Sequence, residues 1–139
     1  YYTVPSFEEL SSYSPEQLVA VKGFTIGRKG YGSIQFISSI DLTSISLSNI
    51  ANLVSFEKNE TNVYPDEKTK PPRGEGFNQP AIITLEGCFP KTMDRKGIIT
   101  DPHHPMVAKH INRLKSIPNM KYIGYDAVTG TWKFEVEGC

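Results

Sequence analysis

The chain has 139 residues, with 15 Lys and Arg against 15 Asp and Glu, a formal net charge of zero and a pI near 7. Hydrophobic residues make up 38% and aromatics 11%, enough for one domain, 1–139, with a proper core and too much for a disordered chain. The missing basic excess makes nucleic acid an unlikely default partner, and no apolar run approaches the roughly 18 residues that span a bilayer, so no direct membrane insertion is expected.

In chain order, Ser6-Phe7-Glu8-Glu9 and Ser14-Pro15-Glu16-Gln17 both match the capping box, in which a serine hydroxyl and an acid or amide three residues on satisfy each other's backbone donors. Short helices are predicted over 6–12 and 14–21. Glu8 and Glu9 complement the first helix's dipole and do not form an acid–base pair, because adjacent helical residues point apart. Gly23 ends the second helix.

Gly23 to Ile34 follows, with four glycines between two apolar runs. The offsets fit neither phosphate-loop motif. The period-two alternation of Ser33-Ile34-Gln35-Phe36-Ile37 reads as a strand and not as the helix a phosphate loop opens. The run is therefore a hairpin corner between strands 24–26 and 33–37, with Arg28 and Lys29 as solvent-facing loop charges. Ile40-Asp41-Leu42-Thr43 reads as extended. Residues 46–52 read as one helical turn with Leu47 and Ile50 on one side, and 53–56 and 61–64 as two strands joined near Lys58-Asn59.

Residues 65–80, rich in Pro, Gly and charge, read as a loop. There Glu75, between Gly74 and Gly76, is read as structural. Ala81-Ile82-Ile83-Thr84-Leu85 is a buried strand on its β-branched content, and Cys88 is a small buried residue. With only Cys88 and Cys139 there is no disulfide framework. Phe89 to Asp101 is a second polar loop carrying Lys91, Arg95 and Lys96.

Asp101-Pro102 resembles a helix cap and first-turn proline, and Val107, His110, Ile111, Leu114 and Ile117 recur at helical spacing. His103 and His104 are adjacent and His110 lies six residues further on. That spacing does not put two ligands on one helix face, so no metal site is expected. Residues 122–125 and 131–136 form a hairpin through 126–130, with Trp132, Phe134 and Val136 on one face. The pattern is α+β.

Several of these segments resemble, in order, the autoproteolytic domain of the GLFG-repeat nucleoporins. They are Tyr1-Tyr2-Thr3-Val4-Pro5-Ser6, Phe24 through Ile34, Ile40-Asp41-Leu42-Thr43, and Val63-Tyr64-Pro65-Asp66. Lys70-Pro71-Pro72-Arg73-Gly74-Glu75-Gly76-Phe77-Asn78 and Thr129 through Val136 complete the set. The resemblance implies a six-stranded β-sandwich or half-open barrel capped by helices at both ends. It implies residence in the nucleus at the nuclear pore complex, and work as an anchor. The domain would dock an FG-repeat nucleoporin on a β-propeller scaffold nucleoporin or hold a peptide from its C-terminal neighbour, supporting transport of protein and RNA. No cofactor is implied.

The family's basic docking loop corresponds to Phe89–Ile98. Lys91, Met93, Arg95 and Lys96 are its candidate partner-binding residues, although Thr92-Met93 stands where relatives often have Asp-Lys. Processing relatives end their last strand in His-Phe before a Ser or Thr, the histidine assisting an N–O acyl shift. Here Gly138 stands at the histidine position and Cys139 at the phenylalanine position. The chain is therefore expected to lack self-cleavage and to carry no catalytic residue. The alternative is a self-processing peptidase cutting once at its own C-terminus, including an N–S shift through Cys139, for which no base can be named. RNA binding through Tyr1, Tyr2, Tyr31 and Arg28 is disfavoured by the neutral charge and the absence of an RRM signature.

Overall fold

The computed structural model describes residues 1–43, 45, 49–65, 68 and 70–138. Leu47, Asp66 and Cys139, all invoked above, lie outside them.

Both capping boxes form. Helices α1 (Phe7–Ser11) and α2 (Pro15–Leu18) begin at Ser6 and Ser14, whose side chains accept from the backbone of Glu9 and Gln17. Helix α2 is shorter than expected because Val21 leaves it to exchange backbone hydrogen bonds with Ile40, at 2.9 and 3.0 Å. Ile40 is extended as predicted, but only as half of that isolated bridge.

Strands β2 (Thr25–Arg28) and β3 (Gly32–Phe36) flank the glycine corner and pair antiparallel, Ile26 opposite Ile34. Tyr31 N–H donates to Arg28 O at 2.9 Å across the turn, where Gly30 sits at φ +86, a conformation a side chain resists. Arg28 is not the free loop charge expected of it. Its guanidinium stacks 3.8 Å from the Tyr31 ring centroid and donates to Phe56 O at 2.6 Å.

One strand escaped the sequence reading. Strand β1 (Tyr2–Val4) pairs with β2, Thr3 opposite Ile26. Three residues ahead of a proline carry no period of their own, so the strand is defined by its partner. Helix α3 (Ile50–Leu53) ends at Leu53, which had been assigned to a strand. Strands β4 (Val54–Glu57) and β5 (Glu60–Val63) turn through Asn59 at φ +62. Tyr64, at φ +56, falls just beyond β5.

Strand β6 (Ala81–Leu85) is as predicted. Helix α4 (Pro105–Lys115) starts one turn later than Asp101-Pro102 implied. A start at Pro102 would put Pro105 where the first intrahelical N–H donor is needed, and proline has none. His104 caps the helix instead, its Nδ1 accepting from Met106 N–H at 3.0 Å, while Asp101 closes the preceding turn onto His103 N–H. Strands β7 (Lys121–Asp126) and β8 (Thr131–Val136) complete the chain, with a bulge between Tyr122 and Gly124.

The sheet order is β1-β2-β3-β6-β8-β7, antiparallel throughout, and β4-β5 form a separate two-stranded sheet. The expected α+β class and six-stranded sheet are present, with the two-stranded hairpin as a separate sheet. The six-stranded sheet is open, with β1 and β7 as unjoined edges, and the β4-β5 hairpin shares its core. Val54 and Phe56 are buried with Ile26, Ile34, Ile83 and Phe134.

At the centre, Phe24, Phe36 and Phe77 stack with centroids 5.3 to 6.4 Å apart. Phe77 comes from the proline- and glycine-rich loop, yet its exposure is 0%. Its N–H donates to Tyr64 Oη at 2.8 Å. The loop is thus folded inward at this point. Phe77→Ala should cost about 3–5 kcal/mol, measured as a shift of the urea midpoint against the parent chain.

Candidate functional site

The site grows from one end of β6. After Leu85 the chain runs through Cys88, which is 7% exposed. Cys88 N–H donates to Gly130 O at 2.8 Å, in the β7–β8 turn. Two side chains then converge on Cys88 O: His110 Nε2 from α4 at 2.7 Å and Tyr125 Oη from β7 at 2.9 Å. Two donors on one carbonyl require the His110 proton on Nε2. The His110 ring meets Tyr125 edge-on at 5.2 Å. This knot ties α4, β7 and the start of the loop together. Gly130, at φ +71, lets the Phe89 ring lie on its backbone, since a Cβ there would stand 3.0 Å from three ring carbons.

Beyond the knot, the loop expected at 89–101 is a small hairpin at its base, where Lys91 bridges Ile98. Between it and α4 lies a groove of about 460 Å³. Cys88, Phe89, Pro90 and Trp132 form its floor, and Met106, His110, Arg113 and Leu114 the helical wall. The loop supplies Lys91, Thr92, Met93 and Arg95 as the opposite wall. Three of the four candidate partner-binding residues are therefore brought together. Lys96 is not on the groove; its backbone N–H turns inward to Asp94 Oδ1 at 3.0 Å. Met93 is 94% exposed. The lining carries three permanent cations, Lys91, Arg95 and Arg113, and no carboxylate.

Arg113, Met106 and Tyr125 were not singled out from the sequence. Helical spacing marks the face of α4 that packs on the core, but not which neighbour its other faces meet.

At the far end of β8, Gly138 packs on Asn78, where a Cβ would stand 2.8 Å from Asn78 Oδ1. Asn78 is 8% exposed and donates its Nδ2 to Pro71 O at 3.0 Å. A glycine here has no ring to accept or pass a proton. Glu75 lies in the turn that shapes this region, its N–H donating to Pro72 O at 3.1 Å. Among the described residues no cluster of His, Cys, Asp and Glu could hold a metal ion, and no helix is long and apolar enough to cross a membrane. Of the groups suited to RNA stacking, Arg28 lies over the Tyr31 ring and near that of Tyr1.

An open antiparallel sheet with an appended hairpin and a basic-rimmed apolar groove define an α+β domain with one candidate protein-binding face. The chain belongs to the Nucleoporin2 family, described as the Nup98-96 autopeptidase S59, whose model matches residues 1–138. It is 41% identical over 137 residues to nucleoporin NUP116/NSP116 of Saccharomyces cerevisiae, covering 98% of this chain and 12% of that protein. It therefore spans about an eighth of that relative's length. Among solved structures, a chain in the yeast heterotrimeric Nup82-Nup159-Nup116 nucleoporin complex superposes with a TM-score of 0.93. That chain is 40% identical, with 99% of this chain and 94% of that one covered. A Chaetomium thermophilum Nup145N APD mutant fused to Nup145C N superposes at 0.89 with 37% identity, covering 99% and 92%.

The knot at Cys88 has a pH signature. Burial pushes the Cys88 thiol up to about 11. Burial, with the neighbouring Cys88 and Asp126 charges, pushes Tyr125 up to about 12. Between the ordinary values of 9 and 10 and these raised ones, the folded chain keeps protons that the unfolded chain releases, so stability falls as pH rises. The melting temperature should decline from pH 9 to pH 12, less steeply in Tyr125→Phe. At pH 8 the Cys88 peptide should alkylate slowly in the folded chain and fast in denaturant, read by peptide mass mapping.

Proposed function

We propose that residues 1–139 act as one protein-binding domain of a nuclear pore complex component, anchoring an FG-repeat nucleoporin to the pore scaffold. In that role the domain supports transport of protein and RNA through the pore. The observation that carries this reading is the loop wall of the groove: Met93 at a fully exposed tip, with Lys91 and Arg95 beside it and no carboxylate lining the cleft. A large apolar tip with cations at Lys91 and Arg95, beside an Asp94 carboxylate already bonded within the loop, suits a partner surface that offers an apolar pocket and acidic groups. Lys96 adds charge from outside the groove.

The relatives support the partner class. A chain of this fold sits in a complex with Nup82 and Nup159, and another is fused to the N-terminal part of Nup145C. The partner in this reading is a scaffold nucleoporin, of the β-propeller kind that the family resemblance implies, or a peptide of a C-terminal neighbour.

Purified chain should bind the Nup82–Nup159 complex, measured by calorimetry. Met93→Ala and the triple reversal Lys91→Glu, Arg95→Glu, Lys96→Glu should each weaken binding about tenfold or more. The reversal should also flatten the salt dependence of association. Unchanged affinity in both would remove the loop from the interface.

The family name brings a second reading, self-cleavage. Gly138 argues against it, because the acyl shift needs a proton-transferring group beside the scissile peptide and glycine supplies none. A chain extended by a tag after Cys139 should keep its full intact mass at neutral pH. Clean loss of the tag after Gly138 or Cys139 would make the domain a self-processing peptidase.

A further inference from the structure

The loop that carries Met93 is wired to itself. At its base Ile99 N–H donates to Pro90 O at 2.7 Å, and one step up Thr92 N–H donates to Gly97 O at 3.0 Å. Above that rung main-chain pairing gives way to side chains. Thr92 Oγ1 donates to Asp94 Oδ1 at 2.5 Å and accepts from Gly97 N–H at 3.1 Å. Asp94 Oδ1 also accepts from Lys96 N–H at 3.0 Å, and Arg95 N–H donates to Thr92 O at 2.8 Å. The Thr92 hydroxyl, then the Lys96 N–H, hold the Asp94 carboxyl below its ordinary value, so the carboxylate serves these bonds in its charged form.

The wiring has a geometric consequence. Arg95 is held at φ +59, a region that non-glycine residues adopt only when their surroundings impose it. Met93 lies between the two residues of the clip, Thr92 and Asp94, and is 94% exposed, so no core packing holds it. The loop's presentation therefore depends on its internal bonds.

We propose that Thr92 and Asp94 are positioning residues of the docking loop: their hydrogen bonds hold Met93 and Arg95 in the geometry that the partner binds. The proposal rests on the docking role assigned to this loop above. A loop already in its bound shape spares the complex the entropy of ordering it. Loosening the clip lowers the fraction of chains ready to bind, which reduces apparent affinity by that fraction. The loss falls mainly on the association rate, since the anchoring side chains Met93 and Arg95 are themselves unaltered. Removing a contact residue instead raises the dissociation rate.

The test is stopped-flow binding of the 1–139 chain to the Nup82–Nup159 complex. Thr92→Val and Asp94→Ala should lower the association rate roughly three- to tenfold with dissociation nearly unchanged. Thr92→Ser, which keeps the hydroxyl, should match the parent. Amide exchange at Lys96 and Gly97 should quicken in Thr92→Val and Asp94→Ala, with the thermal midpoint unmoved. Met93→Ala separates the two ideas. If Met93→Ala loses binding while Thr92→Val and Asp94→Ala associate at the parental rate, the positioning role is wrong and the docking role stands. If Met93→Ala binds like the parent, the docking role fails and the proposal falls with it.

Discussion

The fold depends on Phe77. A loop with no regular structure sends one aromatic ring to the middle of the core, where it stacks on Phe24, just before β2, and Phe36 of β3, and meets Tyr64 from the end of the two-stranded sheet. Full burial of such a ring contributes more than any surface pair in the molecule, such as the exposed Arg73–Glu137 contact at 3.8 Å, which is worth little in water. The same insertion fixes Asn78 beside the end of β8 and so shapes the ground around Gly138.

A second constraint joins the parts that Phe77 does not reach. Arg28 spans the β2–β3 turn and the β4–β5 hairpin by donating to Phe56 O, and the Tyr1 hydroxyl accepts from Phe56 N–H at 3.0 Å. Both backbone groups of Phe56 thus find side-chain partners from the β1–β2 end of the six-stranded sheet. At the opposite end, Cys88 O gathers His110 and Tyr125. A buried carbonyl without partners is costly, so satisfying it with donors from a helix and a strand holds the groove walls at a set spacing. The groove is in this sense a by-product of hydrogen-bond satisfaction beneath it.

Above that base, the loop at 89–98 is held in a different way. It buries almost nothing and relies on short polar bonds between Thr92, Asp94, Lys96 and Gly97. Water competes for such bonds, so the tip's order is local and adjustable, while the sheet below it is not.

What could be read ahead of the structure follows the range of each signal. Capping boxes, the period-two strand at 33–37, the buried strand at 81–85 and the final hairpin are local patterns, and each formed within a residue or two of its expected place. Strand β1 has no local pattern and exists because β2 offers it an edge. The start of α4 went to His104 because a second proline outvoted the first. Of the candidate site, the family resemblance picked out the loop and the structure grouped Lys91, Met93 and Arg95, but composition alone would have left them a solvated charge run.

The sequence by itself determined the α+β class, most elements and the glycine at 138, because these depend on residue type and short spacing. Only tertiary structure decided that Arg28 serves the fold, that Phe77 leaves its loop for the core, and that Arg113 and Met93 line one groove. Those outcomes turn on which distant backbone groups and rings need partners, and chain order does not record that.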